Sequence, residues 1–140
     1  MTEPVAGSKL LTDIDEVLRR QVHPTRKDEV EGILFTAFQP TGDEGYLLST
    51  LRGHVSAQEC CERHQANGLQ TMGSYGVAVG EAATIPMSCW DDGGLDGAPE
   101  DHASIDFRPL ERKQRQRAAR ILRDAALARG CLYAVDEQGV

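Results

Sequence analysis

Apolar residues in the first part of the chain recur at helical spacing. Ile14, Val17, Leu18 and Val22 fall on one stripe, which predicts a helix opening at Thr12 and ending before Pro24. Asp13, Asp15 and Glu16 stand in its first turn and Arg19 and Arg20 in its last, a charge order that suits a helix dipole. The next two apolar runs are continuous and rich in β-formers. Residues 33–38 and 46–51 flank the turn-forming segment Thr41-Gly42-Asp43-Glu44-Gly45 and predict a hairpin. Helical periodicity returns after Ser56-x-x-Glu59, a capping box, with Ala57, Cys60, Cys61 and His64 on one face and Gly68 as the stop.

A strand is predicted over 75–79 and another over 103–107, on either side of the glycine-rich acidic segment 91–101, which reads as a mobile loop. The longest element is a helix over 110–129, carrying the stripe Ala118, Ile121, Leu122 and Ala125 and followed by Gly130. Residues 131–135 could add a short edge strand. Strands and helices alternate without a βαβ repeat. The expected fold is therefore α+β: a single compact domain over 11–135, with a mostly antiparallel sheet and about three helices, the last long and basic. Residues 1–10 are expected to fray and 136–140 to form a tail.

Composition narrows the class. The chain has 140 residues, 40% apolar and 26% charged, as a globular domain does. Aromatic residues make up only 5%, so the core must rest on Leu, Val, Ile and Ala. No apolar run approaches the length of a membrane span, and the first residues lack a basic-then-apolar leader. Four cysteines in such a chain, two of them adjacent, point to reduced thiols in a cytoplasm.

Charge is polarised. The 110–129 helix holds seven basic residues against Glu111 and Asp124, a surplus of +5 in a chain whose net charge is −7. A basic face of this kind can grip an anionic partner, and it can equally be a solvated face balanced by Asp91, Asp92, Asp96, Glu100 and Asp101. The acidic total opposes nucleic-acid binding, which draws its affinity from counterion release. A protein partner contacting Arg112, Arg115, Arg117, Arg120 and Arg123 is the leading expectation. The corresponding role is a small acidic accessory, adaptor or immunity-like protein.

Catalytic and metal motifs are incomplete. Cys60 and His64 share a helix face, and His102 or Cys89 could complete a zinc tetrahedron, but no C-x-x-C pair exists and buried thiols explain the same residues. An EF-hand alignment starting at Asp92 puts Ala103 where a bidentate Glu is required. Gly73-Ser74-Tyr75-Gly76 misplaces the serine of a nucleophile elbow, the glycines form no phosphate loop, and no Ser-His-acid order stands out. No metal and no cofactor are expected. One polar constellation is left, an Arg/Ser/His rim of Arg20, His23, Ser49, Arg52 and His102. It would bind a phosphate, a carboxylate or a nucleotide if the strands converge. The alternative is that Arg20 and Arg52 are surface residues and that His102 merely opens a strand.

The order Arg19-Arg20-Gln21-Val22-His23-Pro24, Ala37-Phe38-Gln39-Pro40, Leu47-Leu48-Ser49, Gly76-Val77 and His102-Ala103-Ser104-Ile105 resembles a group of small bacterial proteins to which no activity is attached. The resemblance spans about residues 18–125. It implies a compact single domain of bacterial type and supplies no catalytic residues. The Cys60-Cys61 pair and the segment around Trp90 depart from its pattern.

Overall fold

The computed structural model describes residues 2–135. In chain order its elements are strands β1 (Lys9–Leu10), β2 (Val17–Val22), β3 (Lys27–Asp28), β4 (Gly32–Ile33) and β5 (Leu47–Leu51). Then come helix α1 (Ala57–Ala66), strand β6 (Gly73–Ala78), helix α2 (Val79–Ala83), strands β7 (Cys89–Asp91) and β8 (His102–Asp106), helix α3 (Arg112–Arg129) and strand β9 (Tyr133–Ala134). Seven strands form one antiparallel sheet in the order β1-β7-β8-β5-β2-β6-β9, and β3 pairs with β4 apart from it. The expected α+β architecture is present, with the long Arg-rich helix last.

Both faces of the sheet are covered, and β6 shows how. All six of its residues are buried, although successive side chains must point to opposite faces. Tyr75 and Val77 join Leu18, Val22, Leu48 and Ile105 in the core cluster that α3 closes with Ala118, Leu122 and Ala126. Ser74 points to the other face, where its hydroxyl donates to the Ala57 carbonyl of α1 and meets Cys61 Sγ at 3.2 Å. One continuous core thus ties sheet, α3 and the turn at Phe35–Phe38 into a single domain.

The predicted first helix is replaced by a strand. Leu18 and Val22 are fully buried as expected, but residues four apart share a face in a strand as well as in a helix. Hydrogen bonding to β5 on one side and β6 on the other decides between them, and Ile14 is left 63% exposed. The predicted 33–38/46–51 hairpin does not form either. Ile33 pairs with Lys27, and Phe35–Phe38 is a 3-10 turn that buries Ala37 and Phe38. β5 pairs instead with β8 over five positions and with β2 at one, Arg19↔Leu51. A continuous apolar run carries no period that would separate these choices.

The other two expected helices fall close to what is observed, whereas the segment expected to fray is tied to the sheet. Ser56 caps α1 by accepting from the Glu59 N–H at 3.1 Å, and Cys60 and Cys61 are buried beneath that helix. α3 ends at Gly130, whose φ of 91° is open to glycine at little cost. Within the 1–10 segment, Lys9 and Leu10 pair with β7, and the Thr2 carbonyl accepts from Arg108 at 2.7 Å. Asp91 closes β7, and the loop beyond it bonds to itself through Gly94 N–H to Pro99 O and Ala98 N–H to Leu95 O. The tail at 136–140 lies outside the described residues.

Candidate functional site

β2 and β5 share a single paired position and then part, and Arg20 stands at the opening. By strand alternation its side chain leaves the sheet on the same face as Leu18 and Val22, towards the core. A guanidinium there needs acceptors. Its Nε donates to the Ala37 carbonyl at 2.9 Å and its Nη1 to the Ser49 carbonyl at 3.0 Å. Burial lowers its pKa from the ordinary guanidinium value, yet an arginine remains a cation at any physiological pH.

The parted strands border a cavity of about 810 Å³, a size that suits a small molecule. Four arginines and three histidines line it: Arg19, Arg20, Arg26 and Arg63, with His23, His64 and His102. Glu44 is the one carboxylate among the lining residues, and it is engaged locally, accepting from the Thr41 N–H at 2.9 Å. Arg63 is neutralised by Glu59 and by Asp101, the latter at 2.9 Å. Arg19, in contrast, donates to the carbonyls of Val55 and Gly53, so neither it nor Arg20 is hydrogen-bonded to a carboxylate, although the charge of Glu44 acts on Arg20 from a distance. Burial together with the charge of Arg20 holds His64 below the ordinary imidazole value and favours its neutral form.

Ser49 and His102 meet at the cavity wall. Ser49 Oγ lies 2.6 Å from His102 Nε2, and His102 Nδ1 lies 2.6 Å from Asp92 Oδ1. Asp92 Oδ2 accepts from Ser104 Oγ at 2.5 Å. Burial pushes the Asp92 carboxyl upward, but the hydrogen bonds from His102 and Ser104 outweigh it and hold the group below the usual carboxylate range. An ionised Asp92 can only accept, so His102 carries its proton on Nδ1. In the neutral imidazole, Nε2 then accepts from the Ser49 hydroxyl. The side chains grade from exposed Ser49, through His102 at 16% exposure, to Asp92 at 6%.

No Ser-His-acid order stands out in the sequence, yet the sheet assembles one. β5 and β8 are neighbours in a register that sets Leu51 opposite His102 and Ser49 opposite Ser104, which puts Ser49, His102 and Ser104 on one face. Asp92 follows β7 directly, the strand on the far side of β8. In the sequence Asp92 reads as part of an acidic loop and as the first position of a calcium loop that fails, not as a partner of His102. The alternation of His102, Ser104 and Asp106 along a strand is the signal that could have drawn attention to that face.

Of the five residues of the expected rim, Arg20, His23, Ser49 and His102 line the cavity. Arg52 is not among the lining residues. Its guanidinium is held by both oxygens of Glu16, at 2.6 and 2.9 Å, and by Asp91 at 2.8 Å. The arginines of α3 differ among themselves. Arg123 is buried, donates to the Ile33 carbonyl at 3.0 Å and pairs with Asp124 and Glu31. Arg115 and Arg120 lie over the rings of Tyr46 and Phe35, each 4.2 Å from the centroid. Arg112 and Arg117 are exposed. Among the described residues no group of three or more His, Cys, Asp or Glu is placed to hold a metal ion, and Cys60 and Cys89 are buried free thiols. No helix among them is long and apolar enough to cross a membrane.

Fold and site together define an α+β domain with a basic cavity opening between two strands of an antiparallel sheet. No family model, curated protein or solved structure matches the chain.

Proposed function

We propose that the protein binds a small anionic molecule, bearing a phosphate or carboxylate group, in the cavity between β2 and β5. The single observation that supports this most strongly is that neither Arg19 nor Arg20 is hydrogen-bonded to a carboxylate. Both guanidinium groups donate to main-chain carbonyls, and both line a cavity whose lining sets four arginines against one carboxylate, Glu44. In a chain of net charge −7, a concentration of positive charge inside a cavity is a local arrangement that favours an anion there. Ser49 and His102 add hydrogen-bonding groups at the same wall. Four free thiols fit a cytoplasmic setting.

Thermal unfolding in increasing inorganic pyrophosphate, with choline chloride at matched ionic strength as control, tests the reading. A ligand at about 100 times its Kd stabilises the folded state by about 2.7 kcal/mol. A saturable rise in Tm that is weakened in Arg26→Gln, a change at an exposed lining residue, is the expected result. Equal effects of pyrophosphate and choline would overturn it.

A protein partner remains the second reading. Arg112, Lys113 and Arg117 are exposed on α3, and a charged rim contributes chiefly to association rate. Arg112→Glu with Arg117→Glu should then reduce co-purification of a partner, and unchanged co-purification at every salt concentration would end the idea.

A further inference from the structure

We propose that Ser49, His102 and Asp92 form a nucleophilic triad, and that the bound anion is an ester or thioester whose acyl group is transferred to Ser49. The inference rests on the cavity being a small-molecule site, and it adds a reaction to it. Three features support it. Nucleophile, base and orienting acid are joined in a row, each link 2.6 Å long, with the serine at the accessible end and the carboxylate at the buried end. Ser104 donates to the second oxygen of Asp92, fixing its plane, so the carboxylate cannot swing away from the imidazole. The Arg20 guanidinium, bonded to the Ser49 carbonyl, adds positive charge to the cavity that the serine borders.

A solvated surface serine would need none of this apparatus. Nor does Ser49 require His102 in order to lie on a strand, since its main chain is already paired through the β5–β8 ladder. The chain order Ser49, Asp92, His102 is also found in enzymes built on parallel sheets. Here the serine sits in the middle of an antiparallel strand, and the likeness is one of geometry alone, as expected of a constellation that recurs on unrelated folds.

The reaction balances without a further reagent besides water. Ser49 Oγ attacks the carbonyl carbon as its proton passes to His102 Nε2, and Asp92 stabilises the imidazolium through Nδ1 without taking the proton. The C–O or C–S bond to the leaving group then breaks, and that group leaves with the proton from His102. Water adds to the acyl-Ser49 ester in the same manner, its proton going to His102 and then to Ser49 Oγ as the serine is released. The products are a carboxylic acid and an alcohol or thiol.

Labelling with a fluorophosphonate tests the proposal directly. The probe forms an Oγ–P bond as P–F breaks, and fluoride leaves. Intact mass and peptide mapping should show one adduct, on Ser49, absent in Ser49→Ala and slowed about 100-fold or more in His102→Ala and Asp92→Asn. Ser49 is exposed, so Ser49→Ala should fold, and it keeps the test decisive where a change at buried Asp92 disrupts the domain. Absence of an adduct on native protein, or labelling as fast in His102→Ala as in the unaltered chain, would overturn the triad. The pyrophosphate-induced rise in Tm is measured beside the labelling on the unaltered chain. If that rise appears while Ser49 stays unlabelled, the triad alone fails; if labelling proceeds without that rise, the triad stands and the anion reading fails.

Discussion

Arg20 Nη1 donates to the Ser49 main-chain oxygen at 3.0 Å, bridging β2 and β5 where their pairing has already ended. The same guanidinium reaches the Ala37 carbonyl in the neighbouring 3-10 turn. One side chain thus spans three segments across the mouth of the cavity. A cation in that position closes a gap in the sheet that would otherwise expose unpaired carbonyls, and it leaves the space beside it basic.

Replacing Arg20 with Lys keeps the charge and removes the planar fork, so one ammonium must serve two carbonyls in different directions. Hydrogen bonds from charged groups are worth about 1.5–3 kcal/mol each. Loss of one should lower stability by about 2 kcal/mol, read as a shift in urea midpoint with the slope unchanged. An equal midpoint for Arg20→Lys would show that the bridge contributes nothing net.

Local signals in the sequence were sufficient where an element carries its own start and stop. α1 has Ser56 and α3 has Gly130, and both helices lie within a few residues of where periodicity and caps place them. β2 is ambiguous in the sequence because Leu18 and Val22 satisfy two periods at once, and only its neighbours β5 and β6 resolve the ambiguity. Ser49 and His102 were recognisable as a polar pair, but Asp92 joins them through strand register, which no local stretch encodes. Arg52 failed as a rim residue for a similar reason. What a long side chain reaches depends on which carboxylates the fold brings near it, here Glu16 and Asp91.

That Glu16–Arg52 pair sets an acid limit on stability. The hydrogen bonds from Arg52, opposed by burial and assisted by the Gly53 N–H, lower the Glu16 pKa from its ordinary 4.5. A depressed carboxylate stabilises the fold above its unfolded-state pKa, and that stability is lost as pH falls through the folded value. Glu16→Gln should therefore cost about 1–2 kcal/mol near neutrality, and the difference from the unaltered chain should vanish in strong acid. Urea midpoints measured from about pH 7 down to about pH 2 check the sign, and a difference that grows as pH falls would refute it.

Gly93 connects the acidic loop to the site through sterics. A Cβ there would lie 1.8 Å from the Glu100 carbonyl oxygen and 2.7 Å from its carbon, so backbone must move to admit it. Gly93 directly follows Asp92, and the movement is transmitted to the carboxylate that holds His102 and Ser104. Gly93→Ala should lose about 1–3 kcal/mol and slow any chemistry that depends on Asp92. Gly94→Ala is the control. Its Cβ meets open space, and it should incur only the cost of a positive φ, about 1 kcal/mol, with little effect on the site. Equal losses in the two variants would mean that the loop gives way without disturbing Asp92.

The four thiols test how firmly α1 is seated on the sheet. Burial pushes Cys60 up to about 11 and Cys89 up to about 12, and burial also raises Cys61 even though the Ser74 hydroxyl partly offsets it. Cys131 is exposed. Because the thiolate is the reactive form, a buried thiol with a raised pKa reacts only when its cover opens. A disulfide reagent at about pH 8 should modify Cys131 at once and the other three at the rate of unfolding, with mass mapping to assign each site. Early modification of Cys61 with Cys89 still protected would locate the weak seam between α1 and β6. The hydrogen bond from Ser74 to the Ala57 carbonyl would then be a contact that opens while the core on the α3 side stays closed.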